Sequence, residues 1–477
     1  ENRRIRHRFL NITRMRTEKL TISLAVMEMK RIIVLLVFVF TTFFSASAGI
    51  VKISGSLKDF KIRKVEIKNC GIAVNIHDRK MLIEVDSNGL FQLELKLKRP
   101  TYYLIGHNLL YLSPGDDLKV KLGHAVARGQ FQGVGEEANV YLKGRERLSG
   151  WKMFDPMKWA LDSNSRIPTF DECRIKIDSL IGVRLQELNR LTKVDDRFRE
   201  LETIRVKACQ VQIYLDYFSY GQLSRWDDTA EVKQEKKNAF YQTIKLFVEP
   251  LLKELTASDD YLELAEVRDV LGECYSSNVF EFPQSVTFLE LMKVQENASL
   301  LDCGLKKADY KLYKDFTRKI QNKDLKQAFS AKLQRRAILM EGRLAPDILL
   351  KDIDGNELKL SDLKGKPLFV DIWATWCLPC LAQMPRFQEL SEKYPGIQFV
   401  GISIDLEVKR WKEKLEKEGI PPRIKEYLAD PYALQESWDL ASIPRFILID
   451  RDFKIITAFA TRPSEKEEIE TILNSVK

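Results

Sequence analysis

The chain has 477 residues, more than one hydrophobic core normally serves, and its 45% hydrophobic and 30% charged side chains exclude global disorder and a polytopic membrane protein. The formal charge of +9 is concentrated at one end: residues 1–31 hold nine basic and three acidic side chains, residues 32–48 hold neither, and residues 49–477 carry only +3. Beyond that end Lys and Arg are interleaved with Asp and Glu, so no basic face suited to nucleic acid forms and nucleic-acid binding is excluded.

In chain order, the first feature is the apolar run Ile32 to Phe40, with Lys30-Arg31 before it and Ala46-Ser47-Ala48 after it. Basic flank, apolar stretch and small-residue cleavage site are the three parts of a secretory signal, cleaved before Gly49. An uncleaved anchor is the other reading, because Ile32 to Val51 approaches the roughly 20 residues of a spanning helix. The small, weakly apolar segment Ser45 to Gly49 favours cleavage, and no cysteine follows at a lipoprotein spacing. About thirty residues precede the run and the chain opens on Glu1, which points to Met27 or Met29 as the start of translation. Residues 1–48 are thus expected to be an upstream extension plus signal peptide. The mature chain is expected in the periplasm or cell envelope of a Gram-negative-type bacterium.

From 49 to 135, short runs alternate apolar and polar residues, as in Ile62 to Ile67, Phe91 to Leu97 and Leu118 to Leu122. That is the period of half-buried strands, and Ser87-Asn88-Gly89 and Ser113-Pro114-Gly115 supply turns. An antiparallel, sandwich-like beta domain is predicted. From 136 to 341 the apolar spacing changes to three and four, as in Ile177, Leu180, Ile181, Leu185 and Leu188, which predicts a helical region. Its aromatic residues Tyr214, Tyr217, Phe218 and Tyr220 fit core packing at that spacing and are assigned no site.

From 342 to 477 the pattern predicts a hairpin at Asp354-Gly355, a buried strand Pro367 to Trp373 and a helix from Pro379 to Tyr394. A strand Ile397 to Ile404, a helix Leu406 to Lys417, paired strands Arg445 to Ile449 and Ile455 to Ala460, and a terminal helix from Ser464 follow. Beta-alpha-beta followed by beta-beta-alpha is the element order of a thioredoxin fold. The whole chain is therefore expected to be multidomain, mixing α+β and α/β parts.

The buried strand leads into Cys377-Leu378-Pro379-Cys380. Two cysteines separated by two residues at a helix start close a small ring on oxidation, while free N–H groups and partial positive charge there stabilise a thiolate. Cys377 is the expected nucleophile on a substrate disulfide, and Cys380 then attacks Cys377 to release the reduced substrate. A structural zinc site needs two further ligands, yet no second such pair exists and His7, His77, His107 and His124 all lie far upstream. A Cys-His hydrolase lacks its base for the same reason.

Phe369-Val370-Asp371-Ile372-Trp373-Ala374-Thr375-Trp376-Cys377-Leu378-Pro379-Cys380 resembles the active-site strand and turn of thioredoxins. Ala345-Pro346 and Leu360-Ser361-Asp362-Leu363-Lys364-Gly365-Lys366 are similar to the TlpA/ResA-like branch, whose members reduce disulfides in the cell envelope. The resemblance implies that Asp371 is the buried acid taking a proton from the resolving cysteine. It also implies that Ile443-Pro444 is a cis-proline loop presenting backbone to a substrate strand, that Pro385 kinks the helix, and that Trp376 shields the site. Trp376, Pro379, Gln383, Ile443 and Pro444 are the expected supporting residues around the catalytic set Cys377, Cys380 and Asp371. Two departures stand out: Gln383 occupies a position where many envelope members carry glutamate, and Gly401 replaces the lysine that thioredoxins place near the buried acid.

Protein thiols and disulfides are the implied substrates. No nucleotide or flavin motif is present, so no cofactor is expected and electrons would come from a membrane thiol donor. An oxidase or isomerase on the same fold, and a binding protein in which this domain is secondary, are the alternatives. A peroxidase would place Thr or Ser where Ala374 stands.

Overall fold

Strand periodicity and helix caps are both visible in a computed structural model, which describes residues 49–60, 63–73, 76, 80–144 and 167–476. The expected signal segment and its cleavage site, residues 1–48, lie outside the described residues. The chain divides into two compact units; the first reaches Val65 and takes in Ile83–Tyr102 and His107–Gly144, and the second takes in Glu66–Leu82, Tyr103–Gly106 and Arg145–Lys477.

In the first unit, β1 (Gly49–Ser56) pairs antiparallel with β4 (Leu90–Leu97) and parallel with β7 (Asp117–Lys121), which pairs antiparallel with β8 (Gln130–Val134). Alternation puts Val51, Ile53, Phe91, Leu95, Leu118, Val120 and Phe131 inside. Strands β2 (Lys64–Asn69), β3 (Lys80–Glu84), β5 (Thr101–Ile105) and β6 (Asn108–Leu112) interleave with these in sequence, and β2 meets β5 antiparallel, Ile67 opposite Ile105, within the segments that belong to the second unit. A short helix, α1 (Glu136–Leu142), follows β8.

The second unit begins its helices at α2 (Phe170–Asn189), opened by a capping box in which Thr169 and Glu172 satisfy each other's backbone N–H. Helices α3 (Asp196–Tyr220), α4 (Ala230–Leu255), α5 (Ala265–Ser277), α6 (Val286–Asp302), α7 (Tyr310–Lys319) and α8 (Lys323–Ile338) follow. Asp195, Thr229, Ser285 and Asn322 cap α3, α4, α6 and α8 through side-chain oxygens. Tyr214, Tyr217 and Phe218 are buried in this helical core. No helix among the described residues is long and apolar enough to cross a membrane.

The last part is a seven-stranded sheet of order β10-β9-β13-β12-β11-β14-β15. Its strands are β9 (Leu349–Lys351), β10 (Glu357–Lys359), β11 (Leu368–Trp373), β12 (Gln398–Ser403), β13 (Ile424–Ala429), β14 (Arg445–Ile449) and β15 (Ile455–Ala460). Strands β11, β12 and β13 run parallel, and β14 and β15 continue antiparallel. Helices α9 (Leu378–Leu381), α10 (Met384–Lys393), α11 (Val408–Glu418), α12 (Pro431–Trp438) and α13 (Lys466–Asn474) complete this thioredoxin-like fold.

All six residues of β11 are buried, as a central strand covered on both faces requires. Leu368, Val370 and Ile372 pack on one face with Val400, Ile402, Leu434, Trp438 and Ile447. Phe369 packs with Phe387, Leu390, Phe399, Phe446, Ile469 and Leu473 in a second cluster, and Trp373 belongs to a third that contains both motif cysteines.

Three features depart from the sequence expectation. The N-terminal sheet expected to be antiparallel contains a parallel pair, because β1 runs alongside β7 in the same direction. The helix foreseen from Pro379 to Tyr394 is broken into α9 and α10, because Pro385 has no N–H to bond the carbonyl of Leu381. Strand β13 and helix α12 were not foreseen at all. The helical part meets the sheet through α8: Arg335 and Arg336 form ion pairs with Asp439 at 3.0 and 2.7 Å. Asp439 follows α12 with a left-handed φ of 48°.

Candidate active site

Strand β11 ends at Trp373, and the turn that follows delivers Cys377 as the N-cap of α9. The turn is held from β12. Thr375 donates to Asp405 through its N–H at 2.9 Å and its hydroxyl at 2.7 Å, and Asp405 also accepts from the Ser403 hydroxyl at 2.7 Å. Asp405 itself is buried. Sequence reasoning passed over it because a lone acid at a strand end looks like any solvated residue.

Cys377 and Cys380 are joined as a disulfide. The N–H of Cys380 lies 3.2 Å from the Cys377 sulfur, so the first turn of α9 aims a donor at the atom that becomes a thiolate on reduction. Cys377 is 5% exposed and Cys380 0%. An incoming disulfide therefore reaches Cys377 first, and Cys380 can act only from within.

Trp376 and Pro379 are exposed beside the pair, and Ile443 packs against the same apolar cluster as both cysteines. The Ile443–Pro444 peptide bond is cis. Trp376 and Ile443 line a cleft of about 680 Å³ whose other walls include Leu406, Arg410, Gln435 and Ser442. An apolar wall with a few polar side chains, reached from the motif through Trp376, suits an extended peptide segment.

Gln383 lies at the end of the motif helix. It is buried at the junction of α9 and α10, and its Oε1 accepts from the N–H of Ser464 at 3.0 Å, tying the loop before α13.

Asp371 lies two residues before Trp373 on β11 and so projects to the same sheet face, the face on which Trp373 packs with the cysteines. It is 2% exposed, and burial followed by the nearby Glu426 carboxyl pushes its proton affinity well above the usual carboxylate range. Glu426 was not among the expected site residues. Burial raises it to about 8, opposed by a hydrogen bond from Trp373. Its only sequence signal is an acid inside a stretch with apolar neighbours at Ile424, Tyr427 and Leu428.

The other five cysteines, Cys70, Cys173, Cys209, Cys274 and Cys303, are free thiols. Burial pushes Cys70 up to about 12 and raises Cys274 as well, which makes both poor nucleophiles. No group of three or more His, Cys, Asp or Glu side chains suited to a metal occurs among the described residues.

This arrangement can carry out exchange between a dithiol and a disulfide. A family model described as Redoxin matches residues 340–473. The chain is similar to the thiol-disulfide oxidoreductase ResA of a Bacillus cereus strain, 30% identical over 162 residues that cover 32% of this chain and 86% of that protein. It is likewise similar to ResA of Geobacillus thermodenitrificans, 34% identical over 140 residues, or 28% of this chain and 77% of the relative. Among solved structures, the thioredoxin domain of a thiol-disulfide oxidoreductase from Bacteroides vulgatus is 26% identical, covering 29% of this chain and 98% of that one with a TM-score of 0.26.

Proposed function

The chain belongs to the TlpA/ResA-like thiol-disulfide oxidoreductases of the thioredoxin family, and from that membership we propose that it reduces disulfides of protein substrates in the cell envelope. The observation that carries this reading is the asymmetry of the pair: Cys377, next to the cleft-lining Trp376, keeps 5% of its surface exposed and Cys380 keeps none. The Cys377 thiolate attacks a substrate disulfide, one substrate sulfur leaves, and a mixed disulfide forms. Cys380 passes its proton to Asp371 and attacks the Cys377 sulfur; the second substrate sulfur leaves as thiolate, and two electrons have moved from the dithiol to the substrate. A membrane thiol donor would restore the dithiol. Apocytochrome c, whose thiols must be reduced before haem attachment, is the substrate class we would examine first.

The same reading assigns residues 1–48 to a leader, 49–135 to the beta domain, 136–341 to the helical region and 342–477 to the catalytic domain. The test is to trap substrates on Cys377 in a Cys380→Ser chain expressed in an envelope-bearing host. Proteins released from it by dithiothreitol support a protein substrate, and none trapped argues against one. A reduction potential above about −150 mV would overturn the reductase direction in favour of an oxidase.

A further inference from the structure

The strand register sets three positions in one row across the sheet: Asp371 on β11 lies opposite Gly401 on β12, which lies opposite Glu426 on β13. Row neighbours in a pleated sheet project on one face, so two acids are separated by a residue with no side chain. Glu426 fills that gap. A Cβ at position 401 would come within 2.3 Å of Glu426 Oε1 and 2.5 Å of Oε2, so any larger residue would displace the carboxyl from this place. Glu426 Oε2 accepts from Trp373 Nε1 at 3.1 Å, and Trp373 packs with Cys377 and Cys380. On its other side Asp371 faces Phe446, and its Oδ1 has no hydrogen-bond partner among the described residues.

Two carboxyls in one apolar pocket cannot both ionise cheaply, so such a pair retains protons where ordinary acids have lost them. We propose that Glu426 is a positioning residue for thiol-disulfide exchange: it completes with Asp371 a two-carboxyl proton site on the cysteine side of the sheet and sets the pH at which Asp371 takes the proton of Cys380. This rests on the function proposed above. Of the charged groups on the elements packed there, Lys351 on β9 is engaged with Glu357 and Asp405 after β12 with Thr375 and Ser403, while α11, which packs through Trp411 and Leu415, carries Lys409, Arg410, Lys412, Glu413, Lys414, Glu416 and Lys417 on exposed or half-buried positions. The charge that acts on Asp371 is that of Glu426, and its direction is upward.

In the resolving step the proton leaves the Cys380 sulfur for an Asp371 oxygen, the Cys377–Cys380 bond forms, and the bond from Cys377 to the leaving sulfur breaks with its electron pair. Replacing Glu426 by Gln keeps an oxygen for Trp373 and a similar shape but removes the like charge. Asp371 then becomes able to accept the proton at lower pH.

The experiment uses the reduced full chain carrying Cys303→Ala, because Cys303 is an exposed thiol, mixed with dithiobis-nitrobenzoate across pH 5–10. The first release of coloured thiolate reads attack by Cys377 and the second reads resolution by Cys380. Glu426→Gln should move the pH midpoint of the second phase down by about half a unit or more, roughly a threefold gain in rate below the midpoint, and leave the first phase in place. In an Asp371→Asn background the same substitution should move nothing. An unshifted second phase in Glu426→Gln, or an equal shift with Asp371 already replaced, overturns the proposal. Absence of both phases in the parent overturns the exchange reading itself and this proposal with it.

Discussion

The helical region and the sheet bury charge in opposite ways. In α3, Arg205 and Glu202 are 2% and 0% exposed, and the guanidinium donates to both Glu202 oxygens at 2.7 and 2.6 Å and to Glu266 on α5 at 3.2 Å. Each charge there has an opposite one in bidentate contact. In the sheet, Asp371 is 2% exposed and Glu426 half-buried, with no cation in contact among the described residues and an Asp371 oxygen left unbonded there. The first arrangement is stable as long as it is complete. The second destabilises the fold wherever its members ionise, so identical substitutions at the two places have opposite consequences.

The largest effect should fall on chemistry in the sheet region: Cys377→Ser is expected to abolish disulfide reduction, assayed by insulin turbidity, with thermal unfolding unchanged. Next, Glu202→Gln should destabilise the chain by about 3 kcal/mol in urea titrations, since it leaves the buried Arg205 charge with the single contact to Glu266, while exchange rates of the folded fraction stay at parental values. Loss of exchange with intact stability would break the comparison. Third, Asp371→Asn should slow the resolving step by about a hundredfold in the same two-phase thiolate assay.

The stability of that variant carries the sign of the comparison. A carboxyl whose folded proton affinity is raised keeps a proton that the unfolded chain has lost, so stability falls as pH climbs from the ordinary carboxylate range toward the raised value. For Glu426 that window runs from 4.5 to about 8. Asp371→Asn should therefore be more stable than the parent at pH 9, with the gain vanishing near pH 4, as read from urea midpoints. The smallest effect belongs to Gln383→Ala, which loses one buried hydrogen bond to Ser464 and about 1 kcal/mol, leaving the reduction potential in place.

Much of the catalytic region was legible because its signals are local. The cysteine spacing, the apolar run into it, and the paired strands Arg445–Ile449 and Ile455–Ala460 all follow from short-range patterns. Strand β13 was hidden by the residue that makes it interesting. Within Ile424–Ala429, Lys425 and Glu426 break the apolar run, and an acid in sequence signals solvent unless something shows that it is enclosed. The enclosure comes from Gly401, 25 positions earlier, through a register no local pattern encodes. Gln383 was read for the charge it lacks, whereas its amide is committed to the Ser464 backbone on a distant loop. The N-terminal strands were legible by alternation, but their pairing order was not, because turns such as Ser113-Pro114-Gly115 mark ends and not partners.

Asp439, where Arg335 and Arg336 converge, opens the segment from Leu440 to Ile443 that walls the cleft. Similarity to the Redoxin family starts at 340, just past the last residue of α8, Ile338. A protein trimmed at 340 would keep the reactive sulfurs but lose both guanidinium groups, leaving the wall hinged on an unclasped carboxylate. The wall of the cleft is thus clasped from outside the residues that the Redoxin model matches.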